Sequence, residues 1–220
     1  MMFDKRYEVV LADTEESKEI HYALRYKVFC LEKEFENAAR FARQMETDQY
    51  DSQAIHFLVR ERMTNNWIAA ARLIISPAES LPISAVAEIE LPEHVGQGVV
   101  AEFSRLLILN TFRQVQNQAV TEPEILLGLI RAARDYCLKR NIKTWVFLCR
   151  RSIHRILGNI GIDMQQIGPA CVHRGIRVPY LMDLNEAFDR VSLHSARTHQ
   201  MFSKTQSYCY YSDLYRRQVA

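Results

Sequence analysis

Charged side chains set inside apolar, strand-like runs are the feature of this sequence that most needs a chemical reason. Arg72 stands within IAAARLIIS, and Glu102 and Arg105 stand within VVAEFSRLLIL. An ionised carboxylate buried in such a run must be paired or lose heavily in desolvation. Strand alternation sets Glu102 and Ser104 on one face and Phe103 and Arg105 on the other, unless a bulge shifts the pleat. Arg72, on a nearby strand, is an available partner for Glu102. The arrangement serves either as an ion pair that fixes strand register or as a site where a carboxylate does acid–base work.

Two further places carry charge in a pattern. Glu46, Asp48 and Asp51 put three carboxylates within the polar stretch METDQYD. Turn-forming aspartates with exposed charge are the ordinary explanation. The spacing lacks the glycine and final glutamate of an EF-hand loop, and no metal site is expected. Arg25 follows Leu24 on the first helix, close to Phe29 and ahead of Phe35; by itself it reads as a solvent-facing arginine beside a buried phenylalanine. No G-x-G-x-x-G, P-loop, G-x-S-x-G or H-E-x-x-H motif is present. The seven histidines never fall at metal-pair spacing, so most are expected at the surface or in local hydrogen bonds.

The elements that must position these groups follow from periodicity and punctuation. Tyr7 to Leu11 reads as a first strand. Asp13 and Glu16 form a D-x-x-E capping box for a helix with Ile20, Ala23, Leu24, Val28 and Leu31 on one face. A charged, partly helical stretch runs from Glu32 to Arg43. Ile55 to Glu61 and Trp67 to Ile75 read as a hairpin turning at Thr64-Asn65-Asn66. Ser76 to Gly98, punctuated by proline and glycine, is a long excursion, and such a loop in a compact domain is more often functional than idle.

Val99 to Leu109 reads as a central strand. Thr121 to Glu124 is a second capping box, leading a helix aligned on Leu126, Leu129, Ile130, Ala133 and Cys137. Lys143 to Cys149 is a buried-type strand and Ser152 to Leu157 a short helix; Asp163 to Ile167 and Ile176 to Met182 are weaker strands. The order β-α-β-β-loop-β-α-β-α-β-β predicts an α/β (α+β) fold with a mixed sheet and helices. One domain over residues 1–189 is expected, followed by a Tyr/Ser/Arg-rich tail over residues 190–220.

Composition bounds the function. The 220 residues are 48% hydrophobic and 25% charged, ordinary globular values that suit one core. No apolar run approaches the roughly 18 to 20 residues of a membrane span. The first residues, MMFDKRYEVV, lack the apolar region of an export signal, so a soluble, cytoplasmic protein is expected. Five scattered cysteines read as reduced thiols. The net charge of +2 hides a division: residues 1–124 hold 13 Lys and Arg against 20 Asp and Glu, residues 125–220 hold 15 against 6. An acidic substrate or partner for the second half is indicated. Arg150, Arg151 and Arg155 are accompanied by no recognised nucleic-acid-binding module.

In order and approximate spacing, R-Y-K-V-F at Arg25 to Phe29, the aromatic Phe35, E-x-D-x-x-D at Glu46 to Asp51, the strand arginine Arg72 and E-F-S-R at Glu102 to Arg105 resemble the LuxI-type autoinducer synthases. These are acyl-homoserine-lactone synthases with the GNAT acyltransferase fold, a mostly antiparallel mixed sheet flanked by helices. The stretch I-G-P-A-C-V-H-R-G-I-R-V-P-Y at Ile167 to Tyr180 is similar to PEP-CTERM/exosortase-associated acyltransferases and N-acyl amino acid synthases. The resemblance spans about residues 5–185. It implies that Arg25, Asp48, Asp51, Arg72, Glu102 and Arg105 form a charged cluster in a cleft, with Phe29, Phe35, Phe103 and Ser104 on the substrate side. The synthases carry tryptophan where this chain has Phe35, which counts against S-adenosylmethionine recognition.

The resemblance also bears on the acyl donor. GNAT enzymes that use acetyl-CoA carry a Q/R-x-x-G-x-G/A loop whose backbone N–H groups cradle the pyrophosphate. Between Leu109 and Glu124 this chain reads NTFRQVQNQAVTEPE, with no glycine and with Glu122 and Glu124 opposing an anion at the helix start. An acyl thioester on the phosphopantetheine of acyl carrier protein is therefore the expected co-substrate, with no permanently bound cofactor. That carrier is acidic, which makes Arg131, Arg134, Lys139, Arg140, Arg150, Arg151 and Arg155 a candidate docking surface. The implied reaction is transfer of a fatty acyl chain to the amine of an amino-acid-like acceptor. Glu102 would act as base or amine orienter, and Arg72 and Arg105 would hold the carboxylates in place. An acyl-homoserine-lactone synthase and a non-catalytic acyl-binding or regulatory module are the alternatives.

Overall fold

The computed structural model describes residues 2–96, 98–113, 122–203 and 207–216. The chain begins with a short helix α1 (Met2–Arg6), strand β1 (Tyr7–Leu11) and helix α2 (Glu15–Arg25), which continues as a wider π-helical turn over Tyr26–Glu32. The hairpin strands β2 (Ile55–Glu61) and β3 (Trp67–Pro77) follow, then the excursion with short helix α3 (Glu93–Gly96), and strand β4 (Val99–Ile108). Helices α4 (Asn110–Arg113) and α5 (Glu122–Leu138) precede β5 (Thr144–Cys149) and α6 (Arg151–Gly158). Three strands come next: β6 (Gln165–Gln166), β7 (Cys171–Val172) and β8 (Ile176–Asp183). The last elements are α7 (Val191–His194), α8 (Ala196–Phe202), β9 (Cys209–Tyr210) and α9 (Tyr211–Arg216). The mixed, largely antiparallel sheet flanked by helices agrees with the architecture expected from the sequence.

The chain divides into two compact units. One comprises Met1–Arg72, Arg105–Ala133 and Thr205–Ala220; the other comprises Leu73–Ser104 and Arg134–Lys204. In the first unit β1 runs antiparallel to β2, with Tyr7 opposite Glu61 and Leu11 opposite Phe57. On its other side β1 pairs in parallel with β9, Val10 against Cys209 and Leu11 against Tyr210. The β2–β3 hairpin turns where expected, with Asn65 in the left-handed region at φ 59°. Val10, Val28, Leu58, Ala70, Leu107 and Leu214 form a core onto which Ile20, Leu24, Phe29 and Trp67 pack.

Two expectations for the first helix are corrected. Its N-cap is Thr14, whose side chain accepts from the Ser17 N–H while the Ser17 hydroxyl accepts from the Thr14 N–H. Asp13 and Glu16 do not form the box: Asp13 instead accepts both the N–H and the hydroxyl of Ser212, at 3.0 and 2.5 Å. The expected apolar face holds only in part: Ile20, Leu24 and Val28 pack on the core, Ala23 is exposed and Leu31, in the π-helical turn, is 57% exposed, while the fully buried residues of α2 are Ser17, His21 and Arg25. Beyond it, α5 presses Gly128 against the Phe3 ring, where a Cβ would sit 2.3 Å from the ring carbon. The expected cap of α5 at Thr121 lies outside the described residues.

In the second unit β8 pairs antiparallel with β5 along its length, from Thr144 opposite Asp183 to Cys149 opposite Val178. β4 runs parallel to β5, with Ala101 beside Trp145 and Glu102 beside Val146. Phe103 stacks on the Trp145 ring at 5.2 Å with the planes 2° apart. The short β7, not anticipated from sequence, forms a tight hairpin with β8. Among the described residues no helix is long and apolar enough to cross a membrane. The tail carries α7, α8, β9 and α9, so its described residues contribute regular structure.

Gly168, from the I-G-P-A-C stretch, shows why that motif has its glycine. A Cβ there would lie 2.0 Å from the Glu88 carbonyl oxygen, beside the Glu90 N–H to Ile167 carbonyl bond of 2.7 Å. Gly158, at the end of α6, has nothing within 4 Å of the equivalent position. Gly168→Ala should therefore lose about 1–3 kcal/mol in urea denaturation. Gly158→Ala should gain about 0.4–1 kcal/mol by restricting the unfolded chain. Equal effects of the two would show that the close approach at Gly168 does not exist in solution.

Candidate active site

The buried polar stripe of α2 sets the site of the first unit. Helical spacing puts Ser17, His21 and Arg25 one above another, and Arg25 is completely buried. The expectation of a solvent-facing arginine is thus overturned. A buried guanidinium requires anions, and the polar loop supplies them: Glu46 and Asp51 are buried as well, at 1% and 5% exposure. The reading of these carboxylates as exposed turn residues fails for the same reason. The loop reaches this position because the Glu46 N–H donates to the Tyr22 carbonyl at 3.1 Å. It holds its shape by an aspartate turn in which the Asp48 N–H donates to Asp51 Oδ2 at 2.7 Å and the Tyr50 N–H to Asp48 Oδ1 at 3.0 Å.

Three arginines meet three carboxylates. Arg25 Nε pairs with Glu46 and Arg25 Nη1 with Asp51 at 2.5 Å. Arg72 Nη1 reaches Asp48 at 2.6 Å and Asp51 at 2.9 Å. Arg105 Nη2 reaches Glu46 at 3.1 Å and Asp48 at 2.8 Å. Glu46 and Asp51 are each shared by two arginines and Asp48 by all three, with Arg25 Nη2 at 3.9 Å, so the network is neutral in sum and cross-linked. Only two members touch solvent appreciably: the Asp48 side chain is 23% exposed and that of Arg105 12%. Arg105 also lies over the Phe29 ring at 5.9 Å, and Phe29 stacks on Phe35 at 6.4 Å.

Electrostatics follow the geometry. Burial would raise the Asp51 carboxyl, but the charge and hydrogen bond of Arg25, with Arg72, outweigh it and hold Asp51 at about 2. Glu46 and Asp48 are likewise lowered against the effect of burial, by Arg25 and Arg105 for the former and by Arg72 and Arg105 for the latter. All three are ionised at neutral pH. Behind them the fully buried His21 and His56 lie with ring centroids 4.5 Å apart and planes tilted by 56°. Each imidazole sets Nε2 against a carbonyl, Ala71 at 3.1 Å and Asp51 at 3.3 Å. A carbonyl only accepts, so Nε2 carries the proton. Burial pushes His21 well below its ordinary value, with His56 adding to the effect, and pushes His56 down to about 4. Both rings are neutral at pH 7, as they must be beside two buried guanidinium groups.

Residues Arg25, Asp48, Asp51, Arg72 and Arg105 are brought together, beside Phe29 and Phe35. Glu46, noted in the motif but given no role, is a full member, and His21 and His56 were left out by sequence reasoning. The i, i+4, i+8 recurrence of Ser17, His21 and Arg25 was the available signal; His56 gave none beyond its place in an apolar strand. Arg105 has φ 50° in the middle of β4, so the strand is kinked there and simple alternation beyond Ser104 does not hold.

In the second unit Glu102 is 4% exposed and its Oε2 accepts the Ile83 N–H at 2.7 Å. The excursion after β3 is thereby tied to the central strand by the very carboxylate that drew attention in the sequence. Of the candidate docking residues, Lys139, Arg140, Arg150, Arg151 and Arg155 are exposed. Arg134 is half-buried, donating to the Leu184 carbonyl at 2.9 Å and covering the Phe188 ring. Arg131 is corrected: it belongs to the first unit, is 1% exposed and pairs with Asp4 at 2.5 Å, so it can present nothing to a partner. Among the described residues no group of histidine, cysteine or carboxylate side chains has the geometry to hold a metal.

Residues 24–121 match the family model described as an acetyltransferase (GNAT) domain. A search of curated protein sequences finds no significant match. Solved structures with the same fold include the acyl-homoserine-lactone (AHL) synthase LasI, at 18% identity and TM-score 0.63 over 86% of this chain and 95% of that one. The CoA-dependent acyl-homoserine lactone synthase BjaI, solved with MTA, aligns at 15% identity and TM-score 0.65 over 93% of each chain. FeeM, an N-acyl amino acid synthase from uncultured soil microbes, aligns at 16% identity and TM-score 0.62 over 86% of this chain and 97% of that one. The GNAT-like fold expected from the motifs holds.

Two outcomes test the site. Asp51→Asn leaves Arg25 and Arg72 each short of a buried partner and should cost about 3–5 kcal/mol, whereas Asp48→Asn, at the solvent edge, should cost clearly less; urea midpoints compare them. The histidines give a pH signature. Their folded pKa values lie below the unfolded value near 6.5, so the unfolded chain binds the extra protons and stability, complete above pH 6.5, falls as pH drops. His56 alone should remove roughly 2 kcal/mol by pH 5. The pH dependence of the midpoint should flatten in His56→Gln; an unchanged slope would show that His56 is not held neutral.

Proposed function

We propose that the protein is an N-acyltransferase that moves a fatty acyl chain from acyl carrier protein to the amine of an amino-acid-like acceptor. The observation that carries this reading is the neutral network of three arginines and three carboxylates, open to solvent only at Asp48 and Arg105. That edge offers an anion and a cation side by side, the complement of an acceptor bearing both an amine and a carboxylate. Asp48 would take the amino group, Arg105 the acceptor carboxylate, and Phe29 and Phe35 would flank them; Arg25 and Arg72 act as positioning residues that fix the carboxylates.

In the reaction the amine nitrogen attacks the thioester carbonyl, a C–N bond forms and the C–S bond breaks. The thiol of the carrier's phosphopantetheine leaves with a proton. Glu102, directly or through a water, takes the proton that the amine gives up. Backbone N–H groups of β4 around the kink at Arg105 are assigned to the developing oxyanion. Phe103 and Ser104, next to Glu102 on the same strand, are assigned to substrate contact. The donor assignment rests on the glycine-free stretch from Leu109 to Glu124, part of which lies outside the described residues, and on the exposed Lys139, Arg140, Arg150, Arg151 and Arg155 as carrier-docking residues in the cytoplasm. The resemblance of residues 167–180 to exosortase-associated acyltransferases supports an acceptor other than S-adenosylmethionine.

An acyl-homoserine-lactone synthase is the second reading, favoured by LasI and BjaI sharing the fold. Mass spectrometry of lipid extracts from cells overproducing the protein separates the two: an N-acyl amino acid is expected, and acyl-homoserine lactone with released methylthioadenosine would replace the first reading by the second. With the product known, Glu102→Gln should lower kcat by about 10²- to 10⁴-fold without changing the fold. A wild-type rate would remove Glu102 from the mechanism.

A further inference from the structure

The hairpin at Cys171–Arg177 is not used by the proposed reaction, and its surface chemistry is unusual. Val172 and Ile176 face each other across the β7–β8 ladder and are 87% and 69% exposed, the most exposed large apolar pair on adjoining strands among the described residues. The turn between them is tight: Arg174 and Gly175 are both left-handed, at φ 53° and 92°, the twist that suits a two-stranded hairpin. The His173 N–H closes it on the Gly175 carbonyl at 3.0 Å. A stiff tip thus carries two aliphatic side chains away from the core.

Basic groups surround that tip. Arg177 lies opposite Cys171, and Arg150 and Arg174 stand close enough that their charges, after burial itself, push the Arg177 guanidinium below its ordinary pKa. From Lys139 to Arg177 the sequence holds eight lysines and arginines and one acidic residue, Asp163, which is ion-paired with Arg190. Mutual repulsion among the guanidinium groups is relieved by an anionic surface. A projecting aliphatic pair, unlike a groove, gains most from a partner that yields around it, and the interfacial layer of a bilayer yields.

We infer that the Cys171–Arg177 hairpin is a membrane-surface contact, inserting Val172 and Ile176 into the headgroup region while Arg150, Arg174 and Arg177 meet anionic lipids. Two short side chains and a few arginines give reversible attachment and no permanent anchor. This inference does not depend on which acceptor the enzyme uses, and shares only Arg150 with the residues assigned to carrier docking.

Vesicle sedimentation of the full chain tests it. Binding is expected to vesicles with about 30 mol% phosphatidylglycerol and not to phosphatidylcholine alone, and to weaken as salt is raised. Val172→Ser/Ile176→Ser should weaken it at least about tenfold while near-UV circular dichroism stays unchanged. In Val172→Trp the indole emission should shift to the blue on adding the anionic vesicles. Absence of vesicle binding, or binding indifferent to the serine pair, would overturn the inference. So would a serine pair that abolishes binding of acyl carrier protein or self-association in sedimentation velocity while leaving vesicle binding intact, since the hairpin would then serve a protein partner.

Discussion

Burial of the Arg25 guanidinium is the constraint from which the first unit takes its form. A cation with no exposed surface must be met by anions of fixed geometry, and Arg25 meets Glu46 and Asp51. Those two carboxylates are on a loop, so the loop is pulled down onto α2 and pinned by its own aspartate turns. Two carboxylates around one cation would leave an excess of negative charge, and the third carboxylate and two further arginines close the balance. The neutral imidazoles of His21 and His56 are the remaining consequence, since a protonated ring there would add a buried positive charge to a network that has none to spare.

Such a network is a poor way to stabilise a fold. Desolvating six ions offsets most of what their mutual attraction returns, and well-packed apolar residues of similar volume would do as well or better. In the proposed reaction the value of the arrangement would lie in direction: Asp48 and Arg105 are held at the solvent edge by buried partners, so their charges would meet an acceptor without reorganisation. The kink at Arg105 serves the same end, since the left-handed residue turns its side chain toward Glu46 and Asp48.

Much of the fold was legible because periodicity reports burial. The hairpin of β2 and β3, the strand β4 and the pair β5 and β8 were found close to their observed bounds, each being apolar over its length and bounded by turn residues. The first helix was placed correctly, with Ile20, Leu24 and Val28 on the core, but an apolar-face count cannot register that Ser17, His21 and Arg25 are buried beside them. For the same reason the network was visible only as separate oddities, Arg72 in one strand, Arg105 in another and three carboxylates in a loop. The motif order joined them, and the geometry of partner sharing, including the part of Glu46, required coordinates. Strands of two residues such as β7 and β9 leave no periodic trace, and the cap shifted from Asp13 to Thr14 because Asp13 has a partner 199 residues away in Ser212.

The division of charge along the sequence illustrates how far a count can go. Residues 1–124 carry 13 basic against 20 acidic side chains, yet Glu46, Asp48 and Asp51 are neutralised by Arg25, Arg72 and Arg105, so that excess does not lie in the buried network. In the basic half, Arg131 is consumed by Asp4 of the acidic half, and Arg134 is spent on the Leu184 carbonyl and the Phe188 ring. What a partner meets is decided by exposure: of the candidate docking residues Lys139, Arg140, Arg150, Arg151 and Arg155 are exposed, and Arg131 and Arg134 are not. Charge asymmetry in a sequence therefore indicates that a charged surface exists, and burial decides which residues form it.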